Sequence, residues 1–228
     1  MRKPRKLPFE ELAPYSIDFP SASPRRPRQV DANGEPVTPP RTDWSTLFGN
    51  TNPVEIEVGF GKGLFLVNAG VAQSGTNFFG IEIVRKYQLY AATRIALRQL
   101  TNVKTTCSDA KLVLRELVVP GSVAAVHVYF PDPWWKSRHK KRLLFTPDFA
   151  DSVWQVLAPE GILHFVSDVA DYFAMVTGIL TTMPGFQAVP APDATDPKHD
   201  MDYLTNFERK FRKEGRPIYR SKYLKVRV

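Results

Sequence analysis

One cysteine, Cys107, stands among 228 residues. A lone thiol excludes a disulfide framework and a thiolate metal cage, and it fits a reducing compartment, so a cytoplasmic protein is expected. Long apolar runs are missing as well. The richest, residues 123–130, is interrupted by His127 and falls far short of the ~20 residues of a membrane span. The chain begins Met-Arg-Lys-Pro-Arg-Lys with no apolar stretch behind it, so no secretory leader is expected. No Gly-Lys-Ser/Thr is present, which rules out a Walker loop. No internal repeat and no metal-ligand spacing can be found, and an oligomeric state is not specified. What remains, 43% apolar and 24% charged residues, is the composition of a soluble globule rather than of a collagen, a coiled coil or a disordered chain.

The net charge is +8, and its distribution says more than its size. Residues 136–142 carry five Lys/Arg and no acid, and residues 205–228 carry nine Lys/Arg against Glu208 and Glu214. These segments contribute +5 and +7, so the rest of the chain nets −4. An excess confined to two patches suits a phosphate backbone as partner, with solvated surface as the plainer alternative.

Residues 1–45 hold nine of the twenty prolines and read as an irregular, basic N-terminal arm, ordered where Leu7, Phe9, Tyr15 and Phe19 can dock. From residue 46 a single domain is expected. Short apolar runs at 54–59, 77–83, 102–108, 123–130, 161–167, 185–190 and 217–228 alternate with helical patterns at 64–71, 84–100, 111–118, 147–157, 169–182 and 204–213. Thr146 is a candidate N-cap with Pro147 at the first helical position. The expected fold is α/β: a three-layer, doubly wound, mostly parallel sheet of seven strands, Rossmann-like. His127 and His164 lie inside apolar strands and read as core residues.

Chemistry enters at Glu57-Val58-Gly59-Phe60-Gly61-Lys62-Gly63, the turn from the first strand into the first domain helix. Gly59, Gly61 and Gly63 permit positive φ and close approach of backbone to a ligand. A dinucleotide fingerprint needs G-x-G-x-x-G, but here the third glycine comes one position early and Leu64 stands in its place. A pyrophosphate gains nothing from Glu57, which instead suits an ammonium group or a water bridging to one. Glu82, near the end of the second strand, can accept both ribose hydroxyls of an adenosine, and Asp109, after the third, can take the adenine amino group. Solvation or helix capping is the structural alternative for each. Loop and acids together point to a cationic, nucleoside-bearing cofactor, and S-adenosylmethionine has both a ribose and a sulfonium.

The fourth strand runs into Phe130-Pro131-Asp132-Pro133-Trp134-Trp135-Lys136. A carboxylate held between two prolines and flanked by aromatics is stiff and partly desolvated. Amino-group methyltransferases carry an Asp/Asn-Pro-Pro-aromatic loop at such a place. Here Trp134 replaces the second proline, which argues against an exocyclic amine as acceptor.

These segments, with Gly80-Ile81-Glu82, the run Arg138-His139-Lys140-Lys141-Arg142 and Thr205-Asn206-Phe207-Glu208, resemble the bacterial tRNA (guanine-N7-)-methyltransferases over residues 50–228. Trp135 stands where histidine is expected. The resemblance implies a class I methyltransferase fold and transfer of a methyl group from S-adenosylmethionine to N7 of a guanine in the variable loop of tRNA. It places Glu57, Glu82, Asp109 and Asp132 on the cofactor, Lys136, Asp168, Thr205, Asn206, Phe207 and Glu208 on the substrate, and Asp132 in the catalytic role. Methylation of another RNA and non-catalytic RNA binding are the alternatives.

Guanine N7 has a lone pair and no proton, so positioning and electrostatics can carry the reaction without a formal base. Because N7 must stay open, the base is expected to be held by its Watson–Crick edge, whose N1–H and amino donors suit Asp168 or Glu208, with Thr205 adding a hydroxyl. Lys136, Arg138, Lys140, Lys141 and Arg142 would bind phosphates, and the tryptophans would stack on the extruded base.

Overall fold

The computed structural model describes residues 7–19, 30–34, 37, 40–133, 143–191, 199 and 203–227. Trp134, Trp135, Lys136, Arg138, Lys140, Lys141 and Arg142 lie outside the described residues. The chain divides into two compact units, Met1–Val119 and Pro120–Val228.

In chain order the first unit contains α1 (Phe9–Leu12), β1 (Ser16–Ile17), α2 (Trp44–Phe48), β2 (Val54–Val58), α3 (Leu64–Ala72), β3 (Asn77–Glu82), α4 (Arg85–Ala96), β4 (Val103–Cys107) and α5 (Ala110–Leu112). All its strand pairings are parallel: β2 with β3, β3 with β4, and β4 with β1. β3 (Asn-Phe-Phe-Gly-Ile-Glu) is buried along its whole length, as a strand covered on both faces is. Phe60, Leu66, Val67, Ala69, Phe78, Ala91, Ile95 and Val103 pack as one cluster, joined by Tyr15 from the arm.

Among the described residues there are eight strands, four in each unit, rather than the expected seven. All seven expected runs are strands, and the eighth, β1, comes from the proline-rich arm. Two residues are too few for a periodic signal, and tertiary chemistry selects them instead. β4 would otherwise present an unpaired edge, and Ser16 and Ile17 sit opposite Thr105 and Thr106 along it. The fully buried Gln88 amide of α4 donates to Ser16 Oγ at 2.8 Å and to Thr105 Oγ1 at 3.0 Å. Thr105 Oγ1 donates in turn to the Tyr15 carbonyl at 3.0 Å, and Lys104 Nζ to that of Pro14 at 2.7 Å.

The second unit contains β5 (Val123–Tyr129), α6 (Pro147–Val156), β6 (Leu157–Ser167), α7 (Ala170–Thr182), β7 (Phe186–Val189), α8 (Asn206–Lys213) and β8 (Tyr219–Lys225). β5 and β6 are parallel, while β8 runs antiparallel to both β6 and β7 and lies between them. Thr146 caps α6 by accepting from the Phe149 N–H at 3.3 Å, with Pro147 at the first helical position, as its sequence predicts. His127 is buried, stacks on His164 at 4.8 Å between ring centroids and shares a 2.7 Å hydrogen bond with the Tyr129 hydroxyl. Burial, then the charges of His127 and Lys222, push His164 down to about 3. His127 is a core residue, as expected, whereas His164 is only partly buried. Among the described residues no helix is long and apolar enough to cross a membrane, and no cluster of three or more His, Cys, Asp or Glu could hold a metal.

At Gly80, Leu66 of α3 and Phe60 of the preceding loop crowd closely onto β3. A Cβ there would stand 2.4 Å from Leu66 Cδ1 and 2.6 Å from Phe60 Cδ1. Gly80→Ala is therefore expected to destabilise the protein by about 1–3 kcal/mol through overpacking, read as a lower urea midpoint. An unchanged midpoint would contradict this packing.

Candidate functional site

The turn between β2 and α3 is built on three left-handed glycines: Gly59 (φ 75°), Gly61 (φ 54°) and Gly63 (φ 66°). Side chains are strained in that region, which accounts for the residue type at each position. Gly63 has a second reason, since a Cβ there would lie 2.7 Å from that of Ala91 on α4. Gly59 is exposed, and a Cβ on it would meet nothing within 4 Å, so space is open above the loop. Bonds from elsewhere in the unit fix the loop. Gly59 N–H donates to the Ile81 carbonyl (2.8 Å), Gly61 N–H to Glu82 Oε2 (2.8 Å), Gly63 N–H to the Phe60 carbonyl (2.9 Å), and the Arg94 guanidinium to the Lys62 carbonyl (2.9 Å).

Beneath it sits Glu57, 3% exposed, whose Oε2 has no hydrogen-bond partner among the described residues. Burial, reinforced by the charge of Glu82, raises its pKa well above the usual carboxylate value. A buried polar atom left unpaired is costly, and a ligand cation at this position would supply the missing partner. Glu82 ends β3, and its two oxygens accept from Gly61 N–H and from Val84 N–H at 2.9 Å. A carboxylate offers about four lone-pair sites, so hydroxyl donors can still be accepted. Asp109 follows β4 and caps α5 by accepting from Lys111 N–H at 2.9 Å. After α5 the coil widens, with Val118 N–H reaching the Val113 carbonyl at 3.0 Å. Three carboxylates thus stand at the C-terminal ends of three neighbouring parallel strands, the usual position for ligands on such sheets. Among the features here, the tie from Glu82 back to the glycine loop is one that spacing alone could not reveal.

In the second unit β5 ends at Tyr129 and is followed by Phe130, whose φ of 51° is left-handed. For a bulky residue preceding a proline this backbone is strained by about 1–3 kcal/mol. Phe130 N–H donates to the Val166 carbonyl at 2.8 Å, and its ring packs on Phe211 and Phe207 with centroids 5.4 and 6.4 Å apart. The backbone is held there, and Asp132 emerges two residues later, exposed. Tyr172 of α7 is buried with its phenol pushed up to about 12, chiefly by burial, with the charge of Asp132 a smaller contribution.

The remaining expected residues divide. Thr205 and Glu208 close the start of α8. Thr205 Oγ1 accepts from Glu208 N–H at 3.0 Å, and Glu208 Oε2 accepts from Leu204 N–H at 2.7 Å. Glu208 Oε1 accepts from Arg220 at 2.5 Å, with Arg212 3.8 Å away. Both side chains therefore already serve the N-terminal cap of α8. Asn206 Oδ1 accepts from Arg209 at 3.3 Å. Phe207 is 47% exposed and stacked on Phe211, centroids 5.9 Å apart and planes 26° from parallel. Asp168, just after β6, is ion-paired with Arg216. Arg212, Arg216 and Arg220 of the C-terminal basic patch are thus engaged with carboxylates of their own unit, which counts alone could not show.

Glu57 supplies a stability test. Its raised pKa means the folded state holds a proton the unfolded chain releases near 4.5, so its contribution to stability is lost as pH rises through the raised value. Glu57→Gln should raise the thermal midpoint relative to the parent at pH 8, with the difference shrinking as pH falls towards 4. A difference that does not change with pH would contradict the buried, unpaired carboxyl.

A family model described as "Putative methyltransferase" matches residues 51–221. The tRNA (guanine-N(7)-)-methyltransferase of Rhodopirellula baltica is 42% identical over 193 residues, spanning 82% of this chain and 71% of that protein. That of Geobacter metallireducens is 33% identical over 186 residues, spanning 81% and 87%. Among solved structures, a Streptococcus mutans methyltransferase in complex with SAH matches with a TM-score of 0.51 and 11% identity, covering 77% of this chain and 89% of that one. At that identity the likeness is one of fold.

Proposed function

Because the chain belongs to the tRNA (guanine-N(7)-)-methyltransferase family, we propose that it transfers a methyl group from S-adenosylmethionine to N7 of a guanine in the variable loop of tRNA. The observation that carries the donor half of this reading is Glu57, a buried acid with an unpaired oxygen beneath a glycine loop. S-adenosylmethionine, when bound, supplies a methyl carbon made electrophilic by its sulfonium. Glu57 accepts from the ammonium of that ligand, Glu82 from its ribose hydroxyls while still holding Gly61, and Asp109 from its adenine amino group. Gly59, Gly61 and Gly63 keep the loop free of side chains that would fill the space.

On the acceptor side the second unit holds the base and stabilises charge. Asp168 accepts from N1–H and the 2-amino group of guanine, donors that adenine does not present together. Phe207 offers an exposed ring on which the base stacks. Asp132 stabilises the positive charge that develops on the purine. Thr205 and Glu208 keep the α8 start in shape, and Asn206 lies beside Phe207. Lys136, Arg138, Lys140, Lys141 and Arg142 bind phosphates on the strength of their charge in sequence. The domain we assign to this chemistry is residues 46–228, preceded by an arm, residues 1–45, whose Ser16 and Ile17 pair with β4, and the cytoplasm is where the substrate would be met.

Transcripts of unmodified tRNA should accept label from the donor, whereas transcripts with 7-deazaguanosine in place of guanosine should accept none. Label on the deaza transcript would overturn N7 as the acceptor. Asp132→Ala should keep the thermal midpoint and lose about 100-fold or more in kcat; activity within a few-fold of the parent would remove Asp132 from the chemistry. The Lys141→Ala, Arg142→Ala double variant should lower the slope of log affinity against log salt by about 1.5. A parental slope would show that the run is not the footprint.

A further inference from the structure

Asp168, proposed above as the reader of the guanine edge, and Phe207, proposed as the surface it stacks on, stand on different elements. One side chain of the second unit is in contact with both assemblies. The Arg216 guanidinium is ion-paired with Asp168 Oδ2 and lies over the Phe211 ring, 4.2 Å from its centroid. Phe211 is the ring on which Phe207 stacks. Asp168, Arg216, Phe211 and Phe207 therefore form one continuous chain of contacts, with the exposed Phe207 ring at one end.

The backbone explains why Arg216 is so placed. α8 ends at Lys213 and is followed, after Glu214, by Gly215, left-handed at φ 66°. Gly215 N–H donates to the Arg212 carbonyl at 3.1 Å, and Arg216 N–H to the Phe211 carbonyl at 2.9 Å. This pair of reversed bonds is the Schellman ending, and it folds Arg216 back over the helix that has just finished. A guanidinium is suited to the position because it is flat, stacks on an aromatic face and still presents donors to a carboxylate. Arg216 approaches Asp168 through Oδ2, so Oδ1 retains capacity for further donors.

We propose that Arg216 is a positioning residue for guanine recognition, which holds the Asp168 carboxylate in register with the Phe207–Phe211 stack so that one base can meet both. This rests on the reading of Asp168 as the edge reader. It differs from the expectation that the basic C-terminal patch serves phosphates, because Arg216 is engaged with an acid and a ring of its own unit. The guanidinium makes no contact with reacting atoms, so its loss should act on base recognition rather than on methyl transfer.

A double-mutant cycle on the full chain tests this, using steady-state kinetics with unmodified tRNA at several salt concentrations. Arg216→Gln should raise KM for tRNA by about 30-fold, the scale of a charge-assisted hydrogen bond, with little change in kcat. Asp168→Asn should do the same. The double variant should be no worse than the poorer single one, because both changes break one unit. Arg216→Lys, which keeps the charge but not the flat stack, should fall between parent and Arg216→Gln. Thermal midpoints and affinity for S-adenosylhomocysteine should stay at parental values in all variants. Losses that multiply, accompanied by a shallower salt slope for Arg216→Gln, would show a phosphate ligand and overturn the proposal. So would a parental KM in Arg216→Gln, or a lowered midpoint that alone accounts for its loss. If Asp168→Asn were harmless while Arg216→Gln was not, the reading of Asp168 would fail. A parent chain unable to methylate tRNA would instead refute the wider function.

Discussion

The first unit is organised around an acid that has nowhere to put its charge. Glu57 is buried under the glycine loop with one oxygen unpaired, in a position that folding alone would fill with an apolar side chain. The surrounding bonds keep it that way. Glu82 spends one oxygen on Gly61 and the other on Val84, the Ile81 carbonyl holds Gly59, and buried Arg94 holds the Lys62 carbonyl. The loop is thus rigid before any ligand arrives, and little ordering is left for binding to accomplish. A cationic ligand satisfies Glu57 and is favoured by it, while an anionic pyrophosphate meets an acid where it would need donors. On the proposed reading, the choice of cofactor class would follow from one side chain and the backbone that confines it.

The second unit is rigid by different means. Phe130 adopts a left-handed backbone just before Pro131, and its ring packs against both Phe207 and Phe211. A Thr205 cap backed by Glu208 starts α8 and a Schellman turn ends it, so both ends of a helix of eight residues are fixed. Such a short helix is marginal on propensity alone; here its caps and ion pairs hold it. The same residues carry the proposed recognition of the base, which makes stability and specificity share side chains. Glu208 illustrates the overlap, since every bond found for it supports the helix and the strand beside it.

Much of this was legible in the sequence, for reasons particular to each element. β3 and β5 are mostly apolar runs between turn residues, and Thr146 with Pro147 marks the start of α6 as clearly in the chain as in the fold. The glycine spacing and the acids at 57, 82 and 109 were visible because ligand chemistry demands residue types at set intervals. What escaped depended on tertiary contact. β1 is two residues long and exists because Gln88 and Thr105 receive it. The left-handed Phe130 leaves no compositional trace. Arg216 looks in sequence like one cation among nine, and only its contacts with Asp168 and Phe211 separate it from a phosphate ligand.

The central claim, that this chain places a donor methyl group on guanine N7 of tRNA, is tested most directly by mapping the product. Unmodified tRNA would be incubated with donor bearing a deuterated methyl group, digested, and read by mass spectrometry at nucleotide resolution. The account predicts the added mass on one variable-loop guanosine, on the base and at the position that makes the glycosidic bond labile. Deuterated methyl on any other atom or nucleotide, or tRNA recovered unchanged beside intact donor, would contradict it.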